Sequence, residues 1–201
     1  EEKISQAITE TLENVGRHAY PKENKAINKK WWLICSVGQT DFHSSHRYMY
    51  LAIYDAGRGI PSSFSDSPVF QNRVKNHYPK EYNSLIQGDN IAENKQNVIT
   101  GLARKMKSYV TPFREMIGDS GLIYASMMQD LTRLDDEDHG QGSKSIKDVI
   151  TNDTNSKLLV FSNKGCYQYN KGHSEEHSQF EHTHELPGTM LQWSINLDEL
   201  D

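Results

Sequence analysis

Residues 47–61 of the chain read RYMYLAIYDAGRGIP. Aromatic and aliphatic side chains alternate from Arg47 to Tyr54, which is typical of a β-strand with one face in a core. The strand pattern stops at Asp55, and glycines follow at Gly57 and Gly59. A carboxylate at a strand end, followed by glycines, places a hydrogen-bond acceptor beside backbone that a flat ligand can approach closely. The same residues also fit an ordinary Asp-x-Gly turn, so a ligand site here needs support from elsewhere in the chain.

The periodicity on either side of this stretch predicts the other elements. Helices are predicted over 3–19, 90–109, 119–131 and 143–152, and strands over 31–37, 47–54, 157–162, 166–169 and 189–197. Asn163-Lys164-Gly165 is predicted to be a tight turn, and 62–68 and 171–187 are predicted to be loops. This order predicts an α+β, two-layer sandwich with a mostly antiparallel, mixed sheet. Residues 62–138 would form a long helical insertion that acts as a lid.

Length and charge narrow the class of protein. The 201 residues fit one domain over 1–201, and a start at Glu1 rather than Met fits a piece of a longer protein. With 27 acidic against 22 basic side chains the net charge is −5, which argues against a nucleic-acid binder. No apolar run approaches the ~20 residues of a membrane span. Two cysteines, Cys35 and Cys166, cannot make a disulfide framework, so a cytoplasmic protein is expected.

Two further segments carry chemically useful side chains. Glu10, Asn14 and His18 are spaced four residues apart, so they share one stripe of the first helix. The segment from Gly140 to Ser143 opens a helix, where bare backbone N–H groups and the helix dipole favour an anion. Taken alone, the first segment also fits a solvated helix face and the second a flexible N-cap.

Taken in order, these segments resemble the sequence boxes of the GHKL ATPase superfamily, which includes gyrase, heat-shock chaperone, histidine-kinase and mismatch-repair ATPases. The boxes are a helix with Glu-x-x-x-Asn, an Asp-x-Gly-x-Gly-Ile turn, a Gly-x-Gly loop entering a helix, and a late Gly-Thr pair. The matching residues are Glu10 to Asn14, Asp55 to Ile60, Gly140 to Gly142, and Gly188-Thr189. The resemblance implies a Bergerat-type ATP-binding fold with ATP and Mg²⁺ as cofactors.

The resemblance also implies a role for each matching residue. Glu10 would be the catalytic residue that orients or deprotonates water, and Asn14 would coordinate Mg²⁺. Asp55 would accept a hydrogen bond from the adenine amino group. The implied ATP-binding residues are Asn14, Arg17, His18, Asp55, Gly57, Gly59, Ile60, Gly140, Gly142, Ser143, Lys144 and Thr189. The glycine loop reads Gly-x-Gly-Ser-Lys where many members have Gly-x-Gly-Leu-Gly, and Lys144 would supply a compensating cation.

The function expected from the resemblance is Mg²⁺-dependent binding of ATP and slow hydrolysis, with lid closure as a switch for a protein partner. Two alternatives remain open, namely a protein serine kinase of the anti-sigma-factor type and a regulator that binds nucleotide without hydrolysing it. Trp31-Trp32-Leu33 and the segment from Ser162 to Tyr167 look like parts of stand-alone bacterial ATPases of the anti-sigma-factor type. Some of those ATPases are paired with STAS-like partners. Glu10 is the feature that favours hydrolysis over binding alone.

Overall fold

A computed structural model describes residues 2–20, 29–39, 46–67, 69–90, 98–128, 141–150 and 155–198. The helices are α1 (Glu2–Asn14), α2 (Gly59–Ser65), α3 (Phe70–His77), α4 (Pro79–Asn90), α5 (Val98–Met127) and α6 (Gln141–Asp148). The strands are β1 (Trp31–Gln39), β2 (Arg47–Asp55), β3 (Lys157–Tyr169) and β4 (His177–Asn196). None of the described helices combines the length and the apolar character that a membrane span requires.

The four strands form one sheet in the order β1-β2-β4-β3, in which every neighbouring pair is antiparallel. Alternate residues of β2, β3 and β4 face a single core, among them Ile53, Val160 and Trp193. Helices α1, α5 and α6 contribute apolar side chains to this core. The predicted α+β class is confirmed, whereas the described strands are all antiparallel rather than mixed.

Helix α1 forms where its apolar spacing predicts. Ala7 and Val15 are buried, and the hydroxyl of Thr11 donates to the Ala7 carbonyl at 2.7 Å, so the buried polar atom is satisfied. The helix continues as a wider π-helical turn over Val15–Ala19 before the chain becomes extended at Tyr20. This turn displaces His18 from the ideal stripe shared by Glu10 and Asn14.

The predicted tight turn at 163–165 is wrong. β3 runs through these residues and pairs with β4 on both sides, with register shifts next to Asn163 that mark a β-bulge. Asn163 has φ 55°, a value that asparagine tolerates better than most residues. At Gly165 an added Cβ would lie 2.8 Å from the Cα of Ser120, so this glycine permits close packing against α5 rather than a turn.

The predicted loop at 171–187 is also wrong for most of its length, because β4 begins at His177. The ring of His177 stacks on those of Tyr167 and Tyr169, and its Nδ1 lies 2.8 Å from the Tyr167 hydroxyl. Burial lowers the pKa of His177. Aromatic cross-strand contacts therefore extend the hairpin through a polar sequence that gives little strand signal of its own.

The predicted loop at 62–68 is replaced over most of its length by α2. Pro61 lies in the first turn, where proline is tolerated, and Phe64 is buried. The hydroxyls of Ser63 and Ser65 donate to carbonyls of the same helix, so a serine-rich sequence remains helical. Helices α3 and α4 were not predicted from the sequence.

Helix α5 covers 98–109 and 119–127 of the predicted helices 90–109 and 119–131, and it breaks at Gly118 with φ 73° and ψ 178°. Residues 91–97 and 129–131 of those predictions lie outside the described residues. Beyond the break, Ile123 joins the sheet core and Leu122 joins a second core. The second core links α2, α3, α4 and α5, and it contains Phe64, Phe70, Val74, Tyr82, Phe113, Leu122 and Ala125. The segment after Gly118 therefore anchors the helical insertion to the sheet.

Candidate functional site

A pocket of about 450 Å³ lies where α1, the end of β2, α2 and α6 meet. The predicted catalytic residue, Glu10, lines this pocket. So do most of the residues predicted to bind ATP, namely Asn14, Arg17, His18, Asp55, Gly59, Ile60, Ser143 and Thr189. They come from segments far apart in the sequence, and the fold brings them to one side of the sheet. The pocket volume lies within the roughly 300–1,000 Å³ that is usual for sites of small molecules.

The α1 wall of the pocket carries the carboxylate and the amide predicted to act together. The Asn14 Nδ2 donates to Glu10 Oε1 at 3.3 Å, as the i, i+4 spacing predicts. One turn further on, Arg17 pairs with Glu13 at 2.7 Å, with 66% of the Arg17 side chain exposed. An exposed pair of this kind is weak, so the Arg17 guanidinium can exchange Glu13 for an anionic ligand at little cost.

Asp55 is the buried acid of the pocket, with 5% of its surface exposed. Burial raises the pKa of Asp55 to about 6, and the hydrogen bond from the Gly57 N–H to Asp55 Oδ1, at 2.8 Å, opposes that rise. A carboxylate held in this way is a strong acceptor for a ligand N–H group, because little water competes for it.

The turn after Asp55 docks directly on the end of α1. The Arg58 N–H donates to the Ala19 carbonyl at 2.9 Å, and Arg58 Nε donates to the His18 carbonyl at 3.0 Å. Gly57 lies so close to Ala19 that an added Cβ would overlap it, and Gly57, although described, does not line the pocket. Gly57 therefore permits contact between the turn and the end of α1, and its close approach to a ligand stays a prediction.

Ser162 joins the two glycine turns of the pocket, and the sequence reasoning did not identify it. Its hydroxyl oxygen accepts from the Ile60 N–H at 2.9 Å, donates to the Gly188 carbonyl at 2.6 Å and lies 3.0 Å from Thr189 Oγ1. Gly59 and Gly188 have φ values of 79° and 89°, which favour glycine. A single buried hydroxyl thus fixes the positions of two pocket-lining segments.

Replacing Ser162 with Ala is expected to lower the free energy of unfolding by about 1–3 kcal/mol, because the Ile60 N–H and the Gly188 carbonyl lose their shared partner. Urea denaturation followed by circular dichroism measures this change. Ser84→Ala is the matched control, since the exposed Ser84 hydroxyl donates only to the Glu81 carbonyl within α4. Equal stability of the Ser162→Ala variant and the wild type would contradict the structural role of this hydroxyl.

Only part of the segment predicted to bind the phosphates lies among the described residues. Gly142 and Ser143 lie in the first turn of α6, and Ser143 lines the pocket, whereas Gly140 lies outside the described residues. Lys144 is exposed and is not among the described residues that line the pocket, and its role as a cation for phosphate stays a prediction.

Arg73 of α3 is a pocket cation that the sequence reasoning missed. Its side chain is buried and donates to the Ser126 carbonyl, and Lys147 donates to the neighbouring Met127 carbonyl at 2.7 Å. Both cations therefore stabilise the C-terminal end of α5, where the helix dipole is negative. Together with Arg17, Arg73 brings positive charge to a pocket whose acidic residues are Glu10 and Asp55.

No cluster of three or more His, Cys, Asp or Glu side chains with metal-binding geometry occurs among the described residues. Mg²⁺ does not require such a cluster, because it commonly binds one or two protein oxygens together with substrate phosphates and water. In the Asn14 amide the nitrogen is engaged with Glu10, so the amide oxygen is the atom suited to the ion. The donor set of α1 thus fits a magnesium–phosphate complex.

Comparison of the chain with protein-family models, with curated proteins and with solved structures gave no match.

Proposed function

We propose that the chain binds ATP as its magnesium complex in the pocket between α1, the Asp55–Ile60 turn and α6, and that it hydrolyses the nucleotide slowly. One observation carries this proposal. The same pocket is lined by Asp55, by the Glu10–Asn14 pair and by Ser143. Any two of these three segments are more than 40 residues apart in the sequence. An acceptor for a base, oxygen donors for a cation and a helix N-terminus for phosphate are the three features that a nucleotide requires.

The base would lie at the Asp55 end of the pocket. The Asp55 carboxylate is held by the Gly57 N–H through Oδ1, so Oδ2 is the oxygen suited to the adenine amino group. Thr189 and Gly59 lie beside it, and Ser162 fixes both of their segments. A guanine would present a carbonyl oxygen instead of the amino group, and two acceptors would then face each other without a proton between them.

The phosphates would lie between α6 and the end of α1. The backbone N–H groups of the first turn of α6 favour an anion through their dipoles, and Ser143 adds a hydroxyl. Arg17 and Arg73 supply positive charge from two other walls of the pocket. Mg²⁺, when bound next to Asn14, neutralises part of the charge on the phosphate oxygens.

Glu10 would act on the attacking water. The Asn14 amide donates to Glu10 Oε1 and so fixes the orientation of the carboxylate. A carboxylate held in this way can orient a water molecule and accept its proton as the water oxygen bonds to the γ-phosphorus and the bond from that phosphorus to the bridging oxygen breaks, which releases ADP and phosphate. Since phosphoryl transfer depends mainly on positioning and charge, one base and several fixed donors are sufficient for slow hydrolysis.

The helical insertion would act as the switch. Its helix α2 and its residue Arg73 line the pocket directly, so ligand contacts there would favour one arrangement of residues 62–138 over another. A protein partner that binds the insertion would then detect whether nucleotide is present.

Isothermal titration calorimetry of the chain with ATP and with GTP, each with excess Mg²⁺, tests the proposal. We expect one ATP per chain and at least roughly tenfold weaker binding of GTP, because adenine offers an amino donor to Asp55 at its 6-position, where guanine has a carbonyl oxygen. Omitting Mg²⁺ should weaken ATP binding. Equal affinity for the two nucleotides, or no binding of either, would contradict the proposed site.

A further inference from the structure

Strand β1 exposes large apolar side chains on both of its faces. Trp31 and Leu33 on one face are 46% and 48% exposed, and Trp32 and Ile34 on the other are 46% and 59% exposed. Val37, with 63% exposed, extends the first face. Solvent exposure of this many large apolar residues on one strand is unusual for a monomer and marks a contact surface.

Among the described residues, the outer edge of β1 carries no charge, no proline and no bulge, which are features that normally prevent a sheet edge from pairing. β1 is the terminal strand of the described sheet, and its nine residues pair with β2 without a register shift. The sequence WWLICSVGQ contains no charged residue and no proline. Natural edge strands are usually protected by charge, proline or a bulge.

The opposite edge of the sheet shows the contrast. β3 carries Lys157 and Lys164, and a β-bulge interrupts it at Asn163. Its apolar residues Leu158, Val160 and Tyr167 are fully buried. One edge of the same sheet is thus protected against pairing and the other is open to it.

We propose that β1 pairs with β1 of a second copy of this chain, antiparallel and about a two-fold axis at Cys35, so that two four-stranded sheets form one continuous sheet of eight strands. Because β1 has no charged side chain, it cannot select a charged partner through ion pairs. The β1 strand of a second copy has the same length and the same apolar character. Antiparallel pairing of identical strands is self-complementary, as a two-fold interface requires.

The side-chain sizes fit this register. Centring the pair on Cys35 places Trp32 opposite Gly38 of the second copy, Ile34 opposite Ser36 and Leu33 opposite Val37. A large side chain faces a smaller one in each of these pairs, and directly opposite residues lie on the same face of a sheet. Trp32 already stacks on Tyr54 of its own chain with ring centroids 5.3 Å apart, so its position is fixed before pairing.

The exposed apolar area sets the upper limit of this interface. Five large side chains, each about half exposed, offer on the order of 100 Å² apiece, so complete coverage in two copies would bury about 1,000 Å² of side-chain surface. A specific interface needs roughly that total. The backbone hydrogen bonds along the edge would be formed in addition.

Analytical ultracentrifugation of the wild type, Ile34→Lys and Val37→Lys at micromolar concentrations tests this proposal. The wild type should sediment as a dimer, and both variants should sediment as monomers, because each places charge in one face of the joined sheet. Phe180→Lys is the matched control, since Phe180 is 50% exposed on β4. It should remain a dimer. Thermal melts should be similar for all variants at monomer-forming dilution, because each replaced side chain is half exposed or more.

Chemical cross-linking tests the proposed pairing register, in which Cys35 lies opposite Cys35 of the second copy. A short bismaleimide cross-linker should join Cys35 to Cys35 of the second copy in the wild type and in Phe180→Lys, but not in Cys35→Ser. Cys35 is exposed and Cys166 is buried, so the reagent distinguishes them. A monomeric wild type, a dimer that persists in both lysine variants at β1, or a dimer that does not cross-link through Cys35 would overturn the proposal.

Discussion

Replacing Asp55 with Asn is expected to weaken ATP binding by roughly 10²–10³-fold, the largest loss from any single change in the pocket. The Gly57 N–H holds Oδ1 at 2.8 Å and would hold the asparagine oxygen in the same place. The asparagine NH₂ group would then face the adenine amino group, donor against donor. Calorimetry with MgATP measures the loss.

The same variant is expected to bind inosine triphosphate better than it binds ATP, because the 6-oxo group of inosine accepts from the new NH₂ group. This reversal distinguishes a specific base contact from general damage to the pocket. Asp198→Asn makes the same chemical change at the far end of the sheet, where Asp198 contacts His46 and Arg47, and it should leave ATP binding unchanged.

Asp55→Asn is also expected to stabilise the ligand-free protein at neutral pH. Burial raises the pKa of Asp55 from 3.8 to about 6, so the folded chain binds this proton more tightly than the unfolded chain. Between about pH 4 and pH 6 the wild type therefore loses up to about 3 kcal/mol of stability as pH rises, and the loss persists above pH 6. The variant lacks this loss and should be about 1–3 kcal/mol more stable at pH 8, with a smaller difference near pH 4.

Urea denaturation at the two pH values measures this difference. If the variant has a lower affinity for ATP and a higher free energy of unfolding than the wild type, Asp55 contributes to ATP binding and destabilises the ligand-free fold. A variant that is less stable than the wild type at pH 8 would contradict the assigned burial of the charge.

Replacing Glu10 with Gln is expected to lower the rate of ATP hydrolysis by roughly 10²–10⁴-fold while ATP affinity changes only a few-fold. Glutamine keeps the oxygen that accepts from Asn14 Nδ2, so the geometry of the α1 wall should be retained. It cannot accept a proton from water. Single-turnover release of phosphate, measured beside calorimetric affinity, separates the chemical step from binding.

Glu13→Gln is the matched control, because Glu13 lies on the same helix and pairs with Arg17 rather than lining the pocket. Its turnover should remain close to that of the wild type. If Glu10→Gln hydrolyses ATP at the wild-type rate, Glu10 is not the base. If the wild type binds ATP but releases no phosphate, a regulator that binds nucleotide without hydrolysing it becomes the better interpretation.

Local pattern was sufficient to predict the elements that form the centre of the pocket. α1 and β2 have regular apolar spacing, and Asp55 ends β2 as the alternation predicts. The Glu10–Asn14 contact follows from helix geometry alone. These features depend on residues close in sequence, which is why sequence reasoning reached them.

The features that were missed depend on contacts between distant segments. Asn163-Lys164-Gly165 has the composition of a turn, and only pairing with β4 and the close approach of Ser120 make it a bulge. Ser162 has no distinctive local pattern, and its role appears only when the two glycine turns meet. Similarly, the near half exposure of Trp31 and Trp32 follows from the position of β1 at the edge of the sheet, which no local pattern reveals.

The most direct test of the account is a crystal structure of the chain with Mg²⁺ and a non-hydrolysable ATP analogue. The account predicts that the adenine amino group lies within hydrogen-bond distance of the Asp55 carboxylate, with the metal beside Asn14 and the phosphates at the first turn of α6. An analogue bound elsewhere on the chain, or one whose base points away from Asp55, would contradict it.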